Sequence, residues 1–132
     1  MNKEKLFTNV FRAAAVYNII WGVIVILFPN LFFEIFMLEQ INYPFLMSGI
    51  GMFVAVYGYG YWIVSKDLYS YPQLAVIGIL GKTLGPIGWI YNVIIGEIPA
   101  ITLLVNIFND LIWLPFFFAY LIWLRNKNPK TY

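Results

Sequence analysis

Two ionisable residues, Lys82 and Asp110, stand deep inside apolar stretches of this chain, and they are the groups best placed to do chemistry. A lone lysine or aspartate at the centre of a bilayer costs about 2.5 to 3.5 kcal/mol on insertion scales, so each needs a partner, water or a ligand. Asn106, Asn109 and Trp113 share a helical face with Asp110 by their spacing, and Thr102 extends that face. Asn18 lies deep in the first apolar stretch. An ammonium, a carboxylate and several amides at one level can hold a small molecule or an ion. The same groups can also serve as an ion pair and interhelical hydrogen bonds that only fasten one helix to another. The pattern of residues leaves both readings open.

The missing residue types narrow the chemistry. With neither Cys nor His in the chain, thiol catalysis, disulfides, Cys- or His-ligated zinc, His-ligated haem and a histidine-activated serine are all excluded. No cofactor and no metal site is expected, and the absence of these side chains speaks against an enzyme. Gly81-Lys82-Thr83 has the ending of a phosphate-binding loop, but the glycine that such a loop needs five residues earlier is Val76, and no strand precedes it. The net charge of +2 is small and dispersed, which excludes a nucleic-acid surface.

The elements that must position these groups are membrane spans. The chain is 62% hydrophobic and only 11% charged, far below the roughly 25% charged residues of soluble domains. Its 132 residues hold one integral membrane domain with four stretches of spanning length, at about 10–28, 44–65, 72–95 and 99–124. Pro44, Pro72 and Pro99 open the last three, and Gly96 closes the third. Ser70 and Gln73 have capping-box spacing at the start of span 3. Residues 29–43 are too apolar for a solvated loop, so a short interfacial helix capped by Asn30, or a lid over the bundle, is expected between spans 1 and 2. The fold class expected is therefore all-α: a membrane-embedded antiparallel four-helix bundle with a short interfacial helix.

An even number of spans places Lys3, Lys5, Lys66, Arg125, Lys127 and Lys130 on one side and Glu34, Glu39 and Glu97 on the other. The positive-inside rule then predicts a multi-pass protein of the inner (plasma) membrane with both termini cytoplasmic. Within this hairpin geometry Lys82 and Asp110 each lie ~15 to 17 Å deep, at a common level near the midplane. Pro86 removes the hydrogen bond to the Lys82 carbonyl and is expected to kink span 3. Gly78, Gly81, Gly85 and Gly88 recur at three- and four-residue steps and form a helix-packing strip, internal to the bundle or at a subunit interface. Tyr57, Tyr59, Tyr61 and Trp62 read as an interfacial aromatic belt.

Asn42-Tyr43-Pro44-Phe45, Gly49-Ile50-Gly51-Met52, Gly58-Tyr59-Gly60, the run from Gly81 to Gly88 and Asn109-Asp110-Leu111-Ile112-Trp113-Leu114-Pro115-Phe116 carry a resemblance. With them the chain resembles a group of small uncharacterised bacterial membrane proteins of about this length, and more loosely it is similar to DoxX-like four-helix membrane proteins. Some members carry an alkyl hydroperoxide reductase label; such peroxidases use a cysteine, which this chain lacks. The resemblance implies location and architecture, and no activity. The residues themselves point to small-molecule or ion binding or transport at a midplane polar site. The alternatives are an accessory or scaffold subunit of a membrane complex and, third, a membrane enzyme acting on a lipid-like substrate with Asp110 as its central carboxylate. The partners expected are the lipid bilayer, a small-molecule ligand and a second copy or a membrane-complex subunit.

Overall fold

The structure, a computed structural model, describes residues 2–127; Lys130 lies outside the described residues. Helix α1 spans Lys3–Leu27, α2 Leu31–Ile35, α3 Pro44–Lys66 and α4 Pro72–Ile94. The fourth span runs from Ala100 to Lys127. It consists of a 3-10 turn, Ala100–Thr102, then α5, Leu103–Asn106, a π-helical turn, Ile107–Leu111, and α6, Leu114–Lys127. Among the described residues the fold is all-α, and four helical segments are long and apolar enough to cross a membrane, the organisation of a multi-pass membrane protein.

The boundaries shift where local hydrogen bonds override composition. Span 1 begins at Lys3 rather than near Val10, because the Asn2 side chain accepts the Glu4 N–H at 3.0 Å and Glu4 complements the positive end of the helix. The polar segment is thus the first turns of α1, and Phe7 on it is already buried. The helix expected over 29–43 contracts to five residues. Met37, at a φ of 52°, ends it in a left-handed conformation while Leu38 N–H bonds the Phe33 carbonyl at 2.8 Å. Neither expected side-chain cap forms: Asn30 makes no capping bond, and α4 starts at Pro72 without one. Ser70 turns back instead. Its hydroxyl and N–H both donate to the Asp67 carboxylate, which also accepts the Tyr69 N–H at 2.9 Å. The Ser70 hydroxyl, then the Tyr69 N–H, holds the Asp67 carboxyl below its ordinary value. The stabilisation of this turn is accordingly full above the ordinary carboxylate range and is lost as pH falls through the lowered value. At the other end of α4, Gly96, with a φ of 81°, closes the helix as its position suggests: Gly96 N–H bonds the Val93 carbonyl and Glu97 N–H the Asn92 carbonyl.

The four spans form an antiparallel ring in chain order, with α1 against α3, α3 against α4, α4 against the fourth span, and that span back against α1. The α1–α3 pairing is the most extensive, and small residues make it so. A Cβ on Gly22 would lie 2.6 Å from the Gly51 carbonyl oxygen and 2.7 Å from the Ala55 nitrogen, and one on Gly58 would lie 2.9 Å from the Ala15 carbonyl oxygen. The two backbones touch, which is how helices gain dispersion contacts where no hydrophobic force drives them together.

The half of the bundle nearest the termini is filled by aromatic rings. Phe11 stacks on Phe117 at 4.6 Å and meets Tyr120 edge-on at 4.9 Å; Tyr61 meets Phe117 at 5.0 Å, and Phe7 packs on Trp123 at 5.3 Å. The Tyr120 hydroxyl donates to the Leu68 carbonyl at 2.7 Å, and Tyr69 donates to Glu4 at 2.6 Å, so the α3–α4 turn is tied to this end.

The glycine contacts give a direct test. Gly22→Ala must push α1 and α3 apart and is expected to destabilise the bundle by about 1 to 3 kcal/mol, as overpacking does. Gly49→Ala, where a Cβ meets nothing within 4 Å, is expected to be neutral or slightly stabilising. Reversible unfolding in detergent micelles measures both, and equal effects would reject the close contact as the seam of the fold.

Candidate functional site

Lys82 and Asp110 meet, as the hairpin geometry predicts. The Lys82 Nζ lies 3.4 Å from Asp110 Oδ1 and donates a shorter hydrogen bond, 2.6 Å, to the Asn109 carbonyl. Asn109 Nδ2 donates to the same Asp110 oxygen at 3.0 Å. Both charged residues are buried, at 3% and 9% exposure. The π turn makes this geometry. Ile112 N–H reaches back to the Ile107 carbonyl, and Trp113 N–H bonds the Asp110 carbonyl. The Asn109 carbonyl, which an uninterrupted α-helix would assign to Trp113, is the one that Lys82 takes. On the facing helix, α4 continues as helix through Pro86.

The pair forms the floor of a cavity of about 280 Å³. Asn18 of α1, Tyr57 and Tyr61 of α3, Gly81 and Gly85 of α4, and Asn106 and Asn109 of the fourth span surround it. Above them the walls turn apolar, with Val25, Met47, Ile50 and Val54. Phe32 of α2 and Trp89 of α4 meet edge-on at 5.5 Å at the rim, where Trp89 also donates to the Thr102 hydroxyl at 2.9 Å. Below the floor, the aromatic cluster of Phe11, Tyr61, Phe117 and Tyr120 closes the bundle toward the termini.

The polar wall is under-satisfied. Asn18 Oδ1, Tyr61 Oη, Asn106 Nδ2 and Asn109 Oδ1 are buried and have no hydrogen-bond partner among the described residues. All four belong to residues that line the cavity. Among the described residues no three of His, Cys, Asp or Glu gather as a metal-binding group, and the Lys82 ammonium already stands against the Asp110 carboxylate.

Five of the residues that sequence spacing singles out thus meet here: Lys82, Asp110, Asn106, Asn109 and Asn18. Trp113 does not line the cavity; its ring packs on Tyr17 at 5.7 Å. The glycines of α4 divide. Gly78 lies beneath the Tyr61 ring, where a Cβ would come within 2.6 Å of a ring carbon, and Gly81 lies beside the Tyr57 ring. Gly85 lines the cavity, and a Cβ on Gly88 would meet nothing within 4 Å. Tyr61 is a correction to the expected belt: it is 1% exposed and lies between the site and the ring cluster beneath it, with its ring 5.8 Å from the Lys82 ammonium. The bare surface of Gly78 admits the ring. A signal for this pairing is present in the sequence, since Tyr57 and Tyr61, four residues apart, share one face of α3, and Gly78 and Gly81, three apart, share one face of α4.

Removing one member of the buried pair leaves the other uncompensated. Lys82→Met is expected to cost about 3 to 5 kcal/mol of bundle stability, and Lys82→Met with Asp110→Leu to restore most of it, because a neutral apolar pair of similar volume needs no partner. Unfolding in micelles of both variants measures this; a double variant as weak as the single would show that the ion pair itself is required.

No family model, no curated protein and no solved structure matches this chain.

Proposed function

We propose that this four-span protein binds a small amphipathic molecule in the Lys82–Asp110 cavity, and that the molecule enters from the side of α2, opposite the termini. The observation that carries this reading is the set of four unpartnered buried polar atoms on residues that line the cavity, from α1, α3 and the fourth span. Each such atom costs about 1 to 3 kcal/mol when left unpaired, a cost that a ligand supplying the missing hydrogen bonds removes. Two amide oxygens call for donors on the ligand, an amide nitrogen calls for an acceptor, and the Tyr61 hydroxyl serves as either. The neighbouring ion pair is neutral overall, so a neutral polar head suits the floor, and the Val25, Met47, Ile50 and Val54 walls suit an apolar remainder. The volume corresponds to the lower end of small-molecule sites.

Transport extends the same reading: it requires displacing the ring cluster below the floor, and a protomer this narrow calls for a second copy to complete a path. The basic residues Lys3, Lys5, Lys66, Arg125 and Lys127 beside the termini, against Glu34, Glu39 and Glu97 at the other end, support an inner-membrane location with both termini cytoplasmic. Entry is then from the extracytoplasmic side.

Two measurements test the proposal. Small molecules extracted from the purified protein and identified by mass spectrometry should include one species that is depleted in an Asn18→Leu, Asn106→Leu variant; no such species in the wild type would reject binding. The chain has no cysteine, so Asn106→Cys gives a single reporter. A membrane-impermeant thiol reagent is expected to modify it from the α2 side only, and faster when Phe32→Ala opens the rim. Modification from the terminal side alone would reverse the assigned entry.

A further inference from the structure

A second concavity, of about 790 Å³, lies at the opposite end of the molecule between the start of α1 and the outer face of α6. We infer that it is a binding site for one anionic phospholipid of the leaflet next to the termini. The inference is independent of the Lys82 cavity. Leu6 and Phe7 line one side; Pro115, Phe116, Ala119 and Ile122 line the other. Along α6, the run from Lys127 back to Pro115 covers ~18 Å at 1.5 Å per residue, the reach of one acyl chain lying in the groove.

Charge sets the class of lipid. Lys3 and Lys127 stand at the mouth with Asn126, and among the described residues neither lysine has an ion-pair partner; the ion pair that forms is Lys82–Asp110. The nearest carboxylate in sequence, Glu4, accepts from the Tyr69 hydroxyl, and Asp67 is taken up by Ser70 and the turn N–H groups. Two ammonium groups from different helices thus stand at an apolar slot, and among the described residues neither is paired with a carboxylate. A phosphodiester whose net charge is negative satisfies both, whereas a zwitterionic headgroup brings its own ammonium to the same place. Trp123, beside the mouth, supplies a ring at the level of the headgroup and glycerol.

Native mass spectrometry of the delipidated protein, titrated with phosphatidylglycerol or phosphatidylcholine of identical chains, tests this. Wild type is expected to retain phosphatidylglycerol at least about tenfold better, as two basic residues at an anionic headgroup imply. Lys3→Gln with Lys127→Gln should abolish the preference, and Ala119→Trp, which fills the slot, should lower retention of both lipids. All three substituted residues are exposed, and an unchanged unfolding temperature in phosphatidylcholine verifies the fold. Equal retention of the two lipids by wild type, or a preference that survives the double lysine variant, would overturn the assignment. Displacement by millimolar glycerol phosphate would overturn it as well, because the site would then read a free phosphate rather than a lipid.

Discussion

Everything in the upper half of this bundle follows from the need to keep one ammonium and one carboxylate together away from water. Lys82 and Asp110 belong to different helices, so their 3.4 Å approach fixes both the vertical register and the rotation of α4 against the fourth span. In a soluble protein a slip of one turn would expose such groups to solvent at modest cost. In a hydrocarbon medium it strands them, and the register is correspondingly strict. Asn109 completes the arrangement twice, through its backbone carbonyl to the lysine and through its side-chain amide to the aspartate.

The bundle is consequently divided. Toward the termini it is closed by rings, with Phe11 and Phe117 at 0% exposure. Toward α2 it is hollow and partly polar. This division explains why α1 and α3 are paired so tightly: the Gly22–Gly51 seam stiffens the side of the ring that does not carry the ionic pair. The cavity can then exist without the whole assembly collapsing into it, because two of its four walls are held by contacts that do not depend on what fills the space.

The all-α architecture, the four spans and the meeting of Lys82 with Asp110 are legible in composition, punctuation and depth, since a bilayer imposes length and polarity on a chain more strictly than water does. What escapes a reading of residues is set by local competition or by the third dimension. Ser70 has the spacing of a cap, yet a carboxylate three residues earlier offers its hydroxyl a better acceptor. Tyr61 looks like a belt residue until Gly78 across the interface is seen to make room for its ring. The wide turn at Ile107–Leu111, which frees the Asn109 carbonyl for Lys82, has only a faint mark in the sequence: Pro115, which has no N–H to give the Leu111 carbonyl.

That wide turn does not break the buried face of the fourth span. Thr102, Asn106 and Asp110 are buried ahead of the turn, and Phe117, Tyr120 and Leu124 are buried after it. From Asp110 to Phe117 is seven residues, two turns of an α-helix, so the wide turn and the tight Trp113-to-Asp110 bond that follows it leave the buried face in phase. One continuous rod thus presents amides to the cavity and rings to the packed end along a single face, and the wide turn alters only which carbonyl is left free between them.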